Sequence, residues 1–400
     1  MRHGGTILAG AALLACFPLA LAHADLDAVV GKALFERVWV QAPATTDAAD
    51  GLGPLFNERS CASCHRGGGG ASFARSTEGA WSVRGVAVRL GDADGHGDPV
   101  FGRQLQTHAV AGLKPEGALR FSDAAGVPEP AITIDGKLAT ATRLSVRQAP
   151  SLFGRTAFDQ ATDASILAHA DPDDRDGDGI SGRPNLITRN GGTAIGRYGW
   201  KAETADLPEQ IAHAFALDIG LSSPGAPRPH GDCTVAETDC MGAPTGESAG
   251  FGGRELSAEM VGLVAAFVRS LPDGADAAAS SAAGAKLFTA AGCGACHVPA
   301  LADAAGHPVR TYSDLLLHNM GPGLDDAVGE PGVASAEWRT APLIGLANGG
   351  SARRYLHDGR ADGVDAAIRA HGGEAAGAVA RYGTLDDDDR RLLTEYLETL

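Results

Sequence analysis

Two short stretches of the chain share one pattern of two cysteines and a histidine. Residues 61–65 are CASCH, and residues 293–297 are CGACH. Cysteines three positions apart on a helical turn share one face, so both sulfurs can add to the vinyl groups of one porphyrin. The histidine that follows then lies under the ring as the proximal iron ligand. The spacing therefore predicts two covalently bound haem c groups.

A four-cysteine zinc site is the alternative, because zinc sites also use C-x-x-C pairs. Zinc does not require a histidine after each pair, and both motifs have one. The motifs therefore favour iron. The predicted attachment residues are Cys61, Cys64 and His65 in the first motif, and Cys293, Cys296 and His297 in the second.

The N-terminus has the features of a secretory signal. Arg2 and His3 precede an apolar run over residues 7–21, and Ala22-His23-Ala24 offers a small-x-small cleavage site. No later apolar stretch reaches the roughly 18 residues of a membrane span. We therefore predict a signal peptide at residues 1–24, no transmembrane segment in the mature chain, and a periplasmic location. A lipoprotein site at Cys16 is the alternative.

The net charge limits the possible binding partners, and the remaining cysteines indicate the cellular compartment. With 33 Lys and Arg against 49 Asp and Glu, the net charge is −16, which argues against nucleic acid and favours a basic redox partner. Cys16 leaves with the signal and four cysteines hold haem. Cys233 and Cys240 are then left to form a structural disulfide in an oxidising compartment. A redox-active dithiol is the alternative for this pair.

The two halves of the chain repeat one order of motifs. GKALF at 31–35 recurs as GAKLF at 284–288, RQAPSL at 147–152 as RTAPLI at 339–344, and RYGW at 197–200 as RYLH at 354–357. Each half also ends on an amphipathic helical pattern, led by Ser257 in the first and by an acidic run from Asp386 in the second. Four similarities in the same order indicate a duplication.

We therefore predict a mainly α fold of two cytochrome c-like haem domains. The N-terminal domain covers residues 25–272, a linker rich in Ala, Ser and Gly covers 273–282, and the C-terminal domain covers 283–400. The first domain contains an insertion between His65 and Arg147. Residues 86–90 and 131–138 alternate there like strands, with a turn at Asp135-Gly136, which predicts a small β insertion.

The duplication predicts a difference between the two irons. His371 follows His357 by 14 residues, and the same step from Trp200, the counterpart of His357, arrives at Ala214. We expect the second iron to have His297 and His371 on opposite faces and to transfer electrons. The first iron is expected to have an open face on which a small molecule is activated.

Other side chains are rival ligands for both irons. His318 and Met320 are rival sixth ligands for the second iron, and methionine would raise its potential. His213, His96 and His108 are candidates for the open face of the first iron. The register of the duplication favours His371 over its two rivals.

Several strings of the mature chain resemble the di-haem cytochrome c peroxidase superfamily and, more closely, bacterial di-haem oxidoreductases often labelled thiol oxidoreductases. The strings are GPLFNERSCASCH, DPDDRDGDGISGRPN, GRYGWKA, HNMGPGL, EWRTAPL, YLHDGRA and HGGEA. The resemblance implies an enzyme that takes electrons from a small redox protein, a cytochrome c or a cupredoxin, at its C-terminal haem. It also implies that an oxidant such as hydrogen peroxide is reduced at the N-terminal haem.

The resemblance implies roles for single residues as well. Trp200 matches the tryptophan between the two haems of the peroxidases, and Gln210 matches their distal-pocket glutamine. Their distal acid falls on Gly220 here, so Asp218 is the nearest replacement for moving a proton between the peroxide oxygens. The asparagine of their inter-haem calcium site falls on Gln148, which does not favour that site.

An acidic loop offers a separate calcium site. Asp174, Asp176 and Asp178 have the D-x-D-x-D-G spacing of a calcium loop, with the Ile180 carbonyl as a further ligand. Position 12 of the loop is Asn185 rather than a bidentate glutamate, so a solvated acidic turn is the alternative.

Two other functions are compatible with the motifs. One is a non-catalytic electron carrier in which both irons have six ligands, and the other is oxidation of a protein or thiol partner. The coordination number of the first iron separates the carrier from an enzyme.

Overall fold

The computed structural model describes residues 17–45, 49–189, 191–273, 281–348 and 352–400. Residues 1–16 of the predicted signal peptide and most of the predicted linker at 273–282 lie outside the described residues. None of the described helices is long and apolar enough to cross a membrane.

The described helices are mostly short. They are α1 (Phe17–Glu36), α2 (Cys61–Cys64), α3 (Thr156–Gln160), α4 (Asp163–Leu167), α5 (Leu207–Ala214), α6 (Thr238–Met241), α7 (Ala258–Ser270), α8 (Ala282–Ala290), α9 (Val364–Ala370), α10 (Ala376–Gly383) and α11 (Asp387–Glu398).

The described strands form seven two-stranded antiparallel sheets rather than one large sheet. The pairs are β1 (Leu55–Phe56) with β5 (His108–Ala109), β2 (Ser72–Arg75) with β3 (Trp81–Arg84), β4 (Val86–Gly91) with β8 (Arg143–Gln148), β6 (Gly117–Ala124) with β7 (Val127–Ile134), β9 (Leu186–Arg189) with β10 (Gly192–Ile195), β11 (Ala300–Ala302) with β12 (Pro308–Arg310), and β13 (Leu317–Asn319) with β14 (Glu337–Arg339).

The prediction of a mainly α fold of two cytochrome c-like domains with one small β insertion was wrong. Only 29% of the chain is helical and 21% is in strands. The strands also extend beyond the insertion, because β11 to β14 lie in the second half. Two- and three-residue strands are too short to show an alternating pattern, so the sequence did not reveal them.

The terminal helices of each half cross at a glycine. A Cβ on Gly31 of α1 would lie 1.9 Å from the Leu263 carbonyl oxygen of α7, and one on Gly284 of α8 would lie 2.7 Å from the Leu392 carbonyl oxygen of α11. Both glycines belong to the repeated GKALF and GAKLF strings. The similarity therefore reflects one helix crossing that occurs in each half, where close backbone contact excludes a side chain.

The ends of α7 and α11 agree with their sequence signals. The Ser257 hydroxyl accepts a hydrogen bond from the Met260 amide at 3.2 Å, and the Asp386 carboxylate accepts one from the Asp389 amide at 2.9 Å. Each side chain satisfies an otherwise free amide in the first helical turn. Both helices pack their apolar faces into the core clusters of their own halves.

The disulfide prediction was confirmed. Cys233 and Cys240 are bonded and close a loop that contains α6. Cys240 is buried, whereas Val235 within the loop is exposed. The bond therefore fixes a surface loop to the body of the first half, as a structural disulfide does.

Candidate functional site

The C-terminal motif lines a deep cavity. A 3-10 turn at Cys293–Ala295 follows α8, and the His297 amide donates to the Cys293 carbonyl at 2.9 Å. Cys293, Cys296 and His297 all face a cavity of about 340 Å³ that lies between this turn and α9. The motif thus presents both sulfurs and the imidazole to one partly open, mainly apolar space.

His371 faces His297 across this cavity. It ends α9, and the centroids of the two imidazole rings are 6.5 Å apart. A metal–imidazole bond is about 2.0–2.1 Å and a ring nitrogen lies roughly 1.1 Å from its centroid, so two imidazoles on one metal atom have centroids about 6.3 Å apart. The observed separation fits one metal atom with a nitrogen on each face.

Three histidines have the tautomer that a metal ligand needs. The Nδ1 atoms of His65, His297 and His371 lie 3.1, 3.2 and 2.7 Å from the carbonyl oxygens of Gly69, Tyr312 and Ala367. A carbonyl oxygen only accepts, so Nδ1 carries the proton and Nε2 keeps a free lone pair in each ring. This arrangement orients the ring and is typical of metal-bound histidine.

Desolvation keeps these histidines neutral. It lowers the pKa of His65 and of His297 to about 4 and also lowers the pKa of His371. The same effect raises the pKa of the Cys61 thiol to about 12 and that of Cys293 to about 11. At neutral pH the site therefore offers neutral nitrogen ligands beside protonated thiols.

The N-terminal motif has the same local geometry. Cys61 to Cys64 form α2, the Ser60 hydroxyl caps its first turn, and the His65 amide donates to the Cys61 carbonyl at 2.9 Å. The motif side chains keep some accessible surface although protein surrounds them. They therefore border a cleft within the protein rather than bulk solvent.

The two motifs differ on the side opposite the proximal histidine. Tyr198 pairs with Thr204 just before α5, and Tyr355 pairs with Ala361 in the same way just before α9. This repeated turn aligns the end of α5, at Ala214, with His371. In the described part of the chain, no histidine ring contacts His65 in the way that His371 contacts His297.

Two of the three rival ligands of the first iron make contacts of their own away from His65. His96 is exposed and pairs with Asp92, while the exposed His108 stacks on Phe56. His213 is half-buried on α5. None of the three makes a hydrogen bond or ring contact with His65 within the described residues.

His318 is not available as a ligand of the second iron. Its Nε2 lies 2.8 Å from a carboxylate oxygen of Asp314, and its Nδ1 lies 2.7 Å from one of Glu374. Both nitrogens therefore donate, and the two carboxylates raise the pKa of this buried imidazole to about 12 despite its desolvation. His318 is a charged, fixed neighbour of Cys296, and both His318 and Met320 line the cavity.

Asp218 lies close to the N-terminal motif. It is part of a π-helical turn at Phe215–Ile219 that continues α5, and such turns are frequent at functional sites. Desolvation raises the pKa of the Cys61 and Cys64 thiols, and the charge of the Asp218 carboxylate adds to that rise, so Asp218 lies within electrostatic range of both. Burial raises the pKa of Asp218, although the Gln104 amide donates to it at 2.7 Å and opposes that rise.

Gly220 has no room for the acid that the resemblance would put there. It ends the π-helical turn with φ +78°, and a Cβ on it would lie 2.6 Å from the Cα of Gly53. A carboxylate near the motif must therefore come from another position; Asp218 and Glu58 both act on the Cys64 thiol, and Asp218 is the one predicted from the sequence. Gln104 was missed in the sequence because it lies in the insertion, in no recognisable motif.

Trp200 and Gln210, the other predicted residues, lie in different surroundings. Trp200 lines the cavity of the C-terminal motif and donates from Nε1 to the Gln148 carbonyl at 2.8 Å. Gln210 accepts a hydrogen bond from Thr204 at 3.0 Å and makes none with Asp218 among the described residues. The structure thus brings Asp218 next to the segment that precedes the N-terminal motif, where its carbonyl accepts from the Asn57 and Glu58 amides, and makes no such link for Gln210 among the described residues.

Gln148 holds two carbonyls from the second half. Its side-chain nitrogen donates to the carbonyl oxygens of Arg354 at 3.1 Å and Leu356 at 2.5 Å. Gln148 thereby links the first half of the chain to the segment that follows Arg353.

The acidic loop brings its three carboxylates together. Ligand atoms of Asp174, Asp176 and Asp178 lie within 4.8 Å of one another, and the Ile180 amide donates to Asp178 at 2.8 Å. Asp178 and Ile180 also line the cavity of the C-terminal motif. The loop is therefore next to the second site, with its carboxylates largely exposed.

This geometry fits a metal-binding protein with two related cysteine–histidine sites. The chain belongs to the di-haem oxidoreductase family, since the family profile described as "Di-haem oxidoreductase, putative peroxidase" matches residues 133–400. The resemblance seen in the sequence is thereby confirmed, and the chain is an oxidoreductase with haem as cofactor. No curated protein matches it.

One solved structure gives a weak similarity. It is the hydrazine synthase of Kuenenia stuttgartiensis pressurised with 20 bar xenon, at 20% identity over 38% of this chain and with a TM-score of 0.26. The match covers 58% of that chain, so less than two thirds of its length is represented here. A TM-score this low establishes no common fold.

The residues of the cavity fit a haem. Two cysteines lie at one side, a pair of neutral imidazoles faces each other at the spacing of one metal atom, and most of the remaining lining is apolar. An enclosed apolar pocket with a few placed polar groups is the usual surrounding of such a cofactor. The N-terminal motif supplies the same donors with a single imidazole.

Proposed function

We propose that the chain is a periplasmic di-haem c oxidoreductase that reduces a peroxide with electrons from a small redox protein. Haem would be attached through Cys61 and Cys64 in the N-terminal half, and through Cys293 and Cys296 in the C-terminal half. The observation that carries the proposal is the unequal set of histidines, a facing pair at one motif and a single ring at the other.

When bound, the C-terminal haem would accept and pass on single electrons, and the N-terminal haem would reduce the peroxide with them. His297 and His371 would fill both faces of the C-terminal haem, which suits electron transfer. His65 would hold the N-terminal haem from one side only. We expect Ala214, which takes the place of His371 in the repeat, to leave space for a small ligand on the opposite side.

Trp200 is the proposed electron path between the two sites. Its indole lines the C-terminal cavity and donates to the Gln148 carbonyl. The same segment continues to Pro150, whose backbone contacts the His65 ring. A short run of covalent and hydrogen bonds therefore joins the tryptophan to the proximal side of the N-terminal site.

Asp218 is the proposed proton carrier. An ionised carboxylate there would take the proton from one peroxide oxygen and deliver it to the other, the leaving oxygen. Its burial beside the motif keeps it close to the reacting centre, and Gln104 fixes its orientation. Gln210 is retained as a candidate for the distal pocket only through the family resemblance.

The proposed electron donor is a basic cytochrome c or cupredoxin, since the chain carries a net charge of −16. We further propose that Asp174, Asp176, Asp178 and the Ile180 carbonyl bind calcium, because the three carboxylates converge in a loop with the spacing of a calcium site. The location of the loop beside the cavity would let the ion stiffen that wall.

The test is peroxide-dependent oxidation of a reduced cytochrome c or cupredoxin by the haem-loaded protein. His65→Ala should abolish it. Asp218→Asn should lower kcat/KM for peroxide by about 10²–10⁴, the usual effect of losing a general acid–base. Asp94→Asn, an exposed change in the same half, is the matched control.

Three outcomes distinguish the candidate functions. Turnover that Asp218→Asn slows and Asp94→Asn leaves alone supports the proposal. Absence of turnover, with both irons in six-coordinate form at every redox state, would make the protein an electron carrier. Turnover of a thiol or protein substrate without peroxide would support the partner oxidase instead.

A further inference from the structure

Trp338 connects the two halves of the chain at the wall of the C-terminal cavity. It lies on β14, is only 6% exposed, and donates from Nε1 to the Leu324 carbonyl at 2.8 Å. Its ring is nearly perpendicular to that of Trp200, with the centroids 6.3 Å apart, and it stacks on His357 with the centroids 4.0 Å apart. All three rings line the cavity that would hold the haem.

The side chain of Lys201 covers the ring of Trp338. Its Nζ is 3.7 Å from the ring centroid, and His357 is parallel to the same ring at 4.0 Å. A parallel ring at that distance fills one face, so Lys201 lies over the other. Lys201 has no exposed surface at all.

The hydrogen bonds of Lys201 show that it is charged. Nζ donates to the carbonyl oxygens of Ala334 at 3.2 Å, Ser335 at 2.7 Å and Glu337 at 2.7 Å. Three acceptors that cannot donate require three hydrogens, which only the ammonium form has. A fixed and dry cation therefore lies against the indole, where cation–π interactions are strongest.

A cation over an indole opposes removal of an electron from it. The positive charge stabilises the electron-rich ring and repels the radical cation that one-electron oxidation would form. The Arg147 guanidinium adds a second cation at 5.3 Å from the same ring. In the described part of the chain, the cation contacts of this indole pair fall on Trp338 rather than on Trp200.

We propose that Lys201 keeps Trp338 reduced and so confines oxidation within the indole pair to Trp200. This inference rests on the proposed function, in which peroxide takes two electrons and two protons and leaves as two waters. Each electron passes singly, so Trp200 loses one electron and regains one from the donor side. Lys201 is a positioning residue that acts through the ring of Trp338.

Loss of the cation should expose Trp338 to irreversible oxidation. The net reaction replaces one indole C–H with C–OH. The indole gives two electrons to one peroxide, and the second peroxide oxygen leaves as water. The product is a hydroxytryptophan at position 338 that peptide mass mapping detects as one added oxygen.

Lys201→Gln is the test variant, because the amide keeps hydrogen-bond donors for the carbonyls without the charge. After a fixed number of peroxide turnovers, we expect the oxidised fraction of Trp338 to rise at least tenfold over wild type, which corresponds to about 1.4 kcal/mol. The oxidised fraction of Trp200 should stay the same. Trp338→Phe in the Lys201→Gln background is the matched control and should remove the added oxygen.

An equal oxidised fraction of Trp338 in wild type and Lys201→Gln overturns the inference. Ultraviolet resonance Raman difference spectra against Trp338→Phe give a readout without turnover, because the indole bands should shift when the cation contact is lost. Unshifted bands in Lys201→Gln would equally contradict the role of Lys201.

Failure of the proposed function is separable from failure of this inference. If the protein does not reduce peroxide, the carbonate radical replaces it as a one-electron oxidant. Two radicals and one water then convert Trp338 to the hydroxylated product and two bicarbonates. The same tenfold difference between wild type and Lys201→Gln supports the protective role, and an equal yield overturns it.

If the Lys201→Gln protein does not accumulate, Trp338 oxidation in wild type is compared at two pH values instead. Burial lowers the pKa of Lys201 to about 8, with Arg147, Glu203, Asp326, Glu330 and Glu337 as the charged groups around it. Trp338 should therefore be oxidised at least tenfold more at about pH 9.5 than at about pH 6.5, because the ammonium loses its proton between these values. Equal oxidation at both pH values would contradict the inference.

Discussion

Removal of the Gln104 amide should change the pH dependence of turnover through Asp218. Gln104 donates to the carboxylate at 2.7 Å and stabilises its ionised form. A hydrogen bond to a charged group contributes about 1.5–3 kcal/mol, so Gln104→Leu should increase the ratio of protonated to ionised Asp218 by roughly 10- to 150-fold. Because the ionised carboxylate takes the first proton from peroxide, activity should fall at acidic pH and recover as pH rises.

The assay is the pH profile of kcat/KM for peroxide with a reduced cytochrome c as donor. The rising acidic limb of Gln104→Leu should lie at higher pH than that of wild type, with the same plateau. Gln106→Leu is the matched control, because Gln106 donates to the Leu217 and Gln104 carbonyls but not to Asp218. A Gln104→Leu limb that coincides with those of wild type and Gln106→Leu would refute the role of Asp218.

Three further predictions concern stability and calcium. Gly31→Ala should destabilise the protein by about 1–3 kcal/mol, since its Cβ would overlap the Leu263 carbonyl, whereas Gly262→Ala, next to open space on α7, should stabilise it by about 0.5–1 kcal/mol. Urea melts followed by circular dichroism compare the two, and equal midpoints would contradict the helix crossing. His318→Gln should cost about 3–5 kcal/mol by leaving the buried Asp314 and the partly buried Glu374 carboxylates without their cation, and a wild-type urea midpoint would show that the imidazole is uncharged. Added calcium should raise Tm in wild type but not in Asp176→Asn. An equal rise in both would show that calcium binds at another site.

Features that depend on short sequence patterns were predictable. The two cysteine–histidine motifs are contiguous, and the register of His371 follows from a repeated string only 14 residues earlier. The helices that begin after Ser257 and Asp386 follow from their capping residues and apolar faces. The disulfide between Cys233 and Cys240 followed because every other cysteine already had a role.

Features that depend on distant contacts were not predictable. Gln104 reaches Asp218 across 114 positions, and no local pattern marks either residue as a partner of the other. The carboxylates that make His318 a charged neighbour instead of an iron ligand come from Asp314 and from the far end of the chain, at Glu374. Pairing of this kind depends on the tertiary fold, which also produced the many two-stranded sheets that the helical prediction lacked.

Lys201 illustrates the same distinction within one motif. The string GRYGWKA drew attention to Trp200 through its resemblance to the peroxidases, and its next residue has no recognisable signal of its own. The structure shows two contacts of Lys201. Its ammonium donates hydrogen bonds to carbonyl oxygens between Ala334 and Glu337, and it lies over the ring of Trp338. Trp200 is therefore one indole of the cavity wall, and its neighbour Lys201 covers the other indole, Trp338.

The central claim is that the two iron sites have different numbers of protein ligands. Electron paramagnetic resonance of the oxidised, haem-loaded protein tests it directly, with wild type and His371→Ala compared. We predict one low-spin and one high-spin ferric signal in wild type, and loss of the low-spin signal in His371→Ala. Two low-spin signals in wild type, or a spectrum that His371→Ala leaves unchanged, would contradict the account.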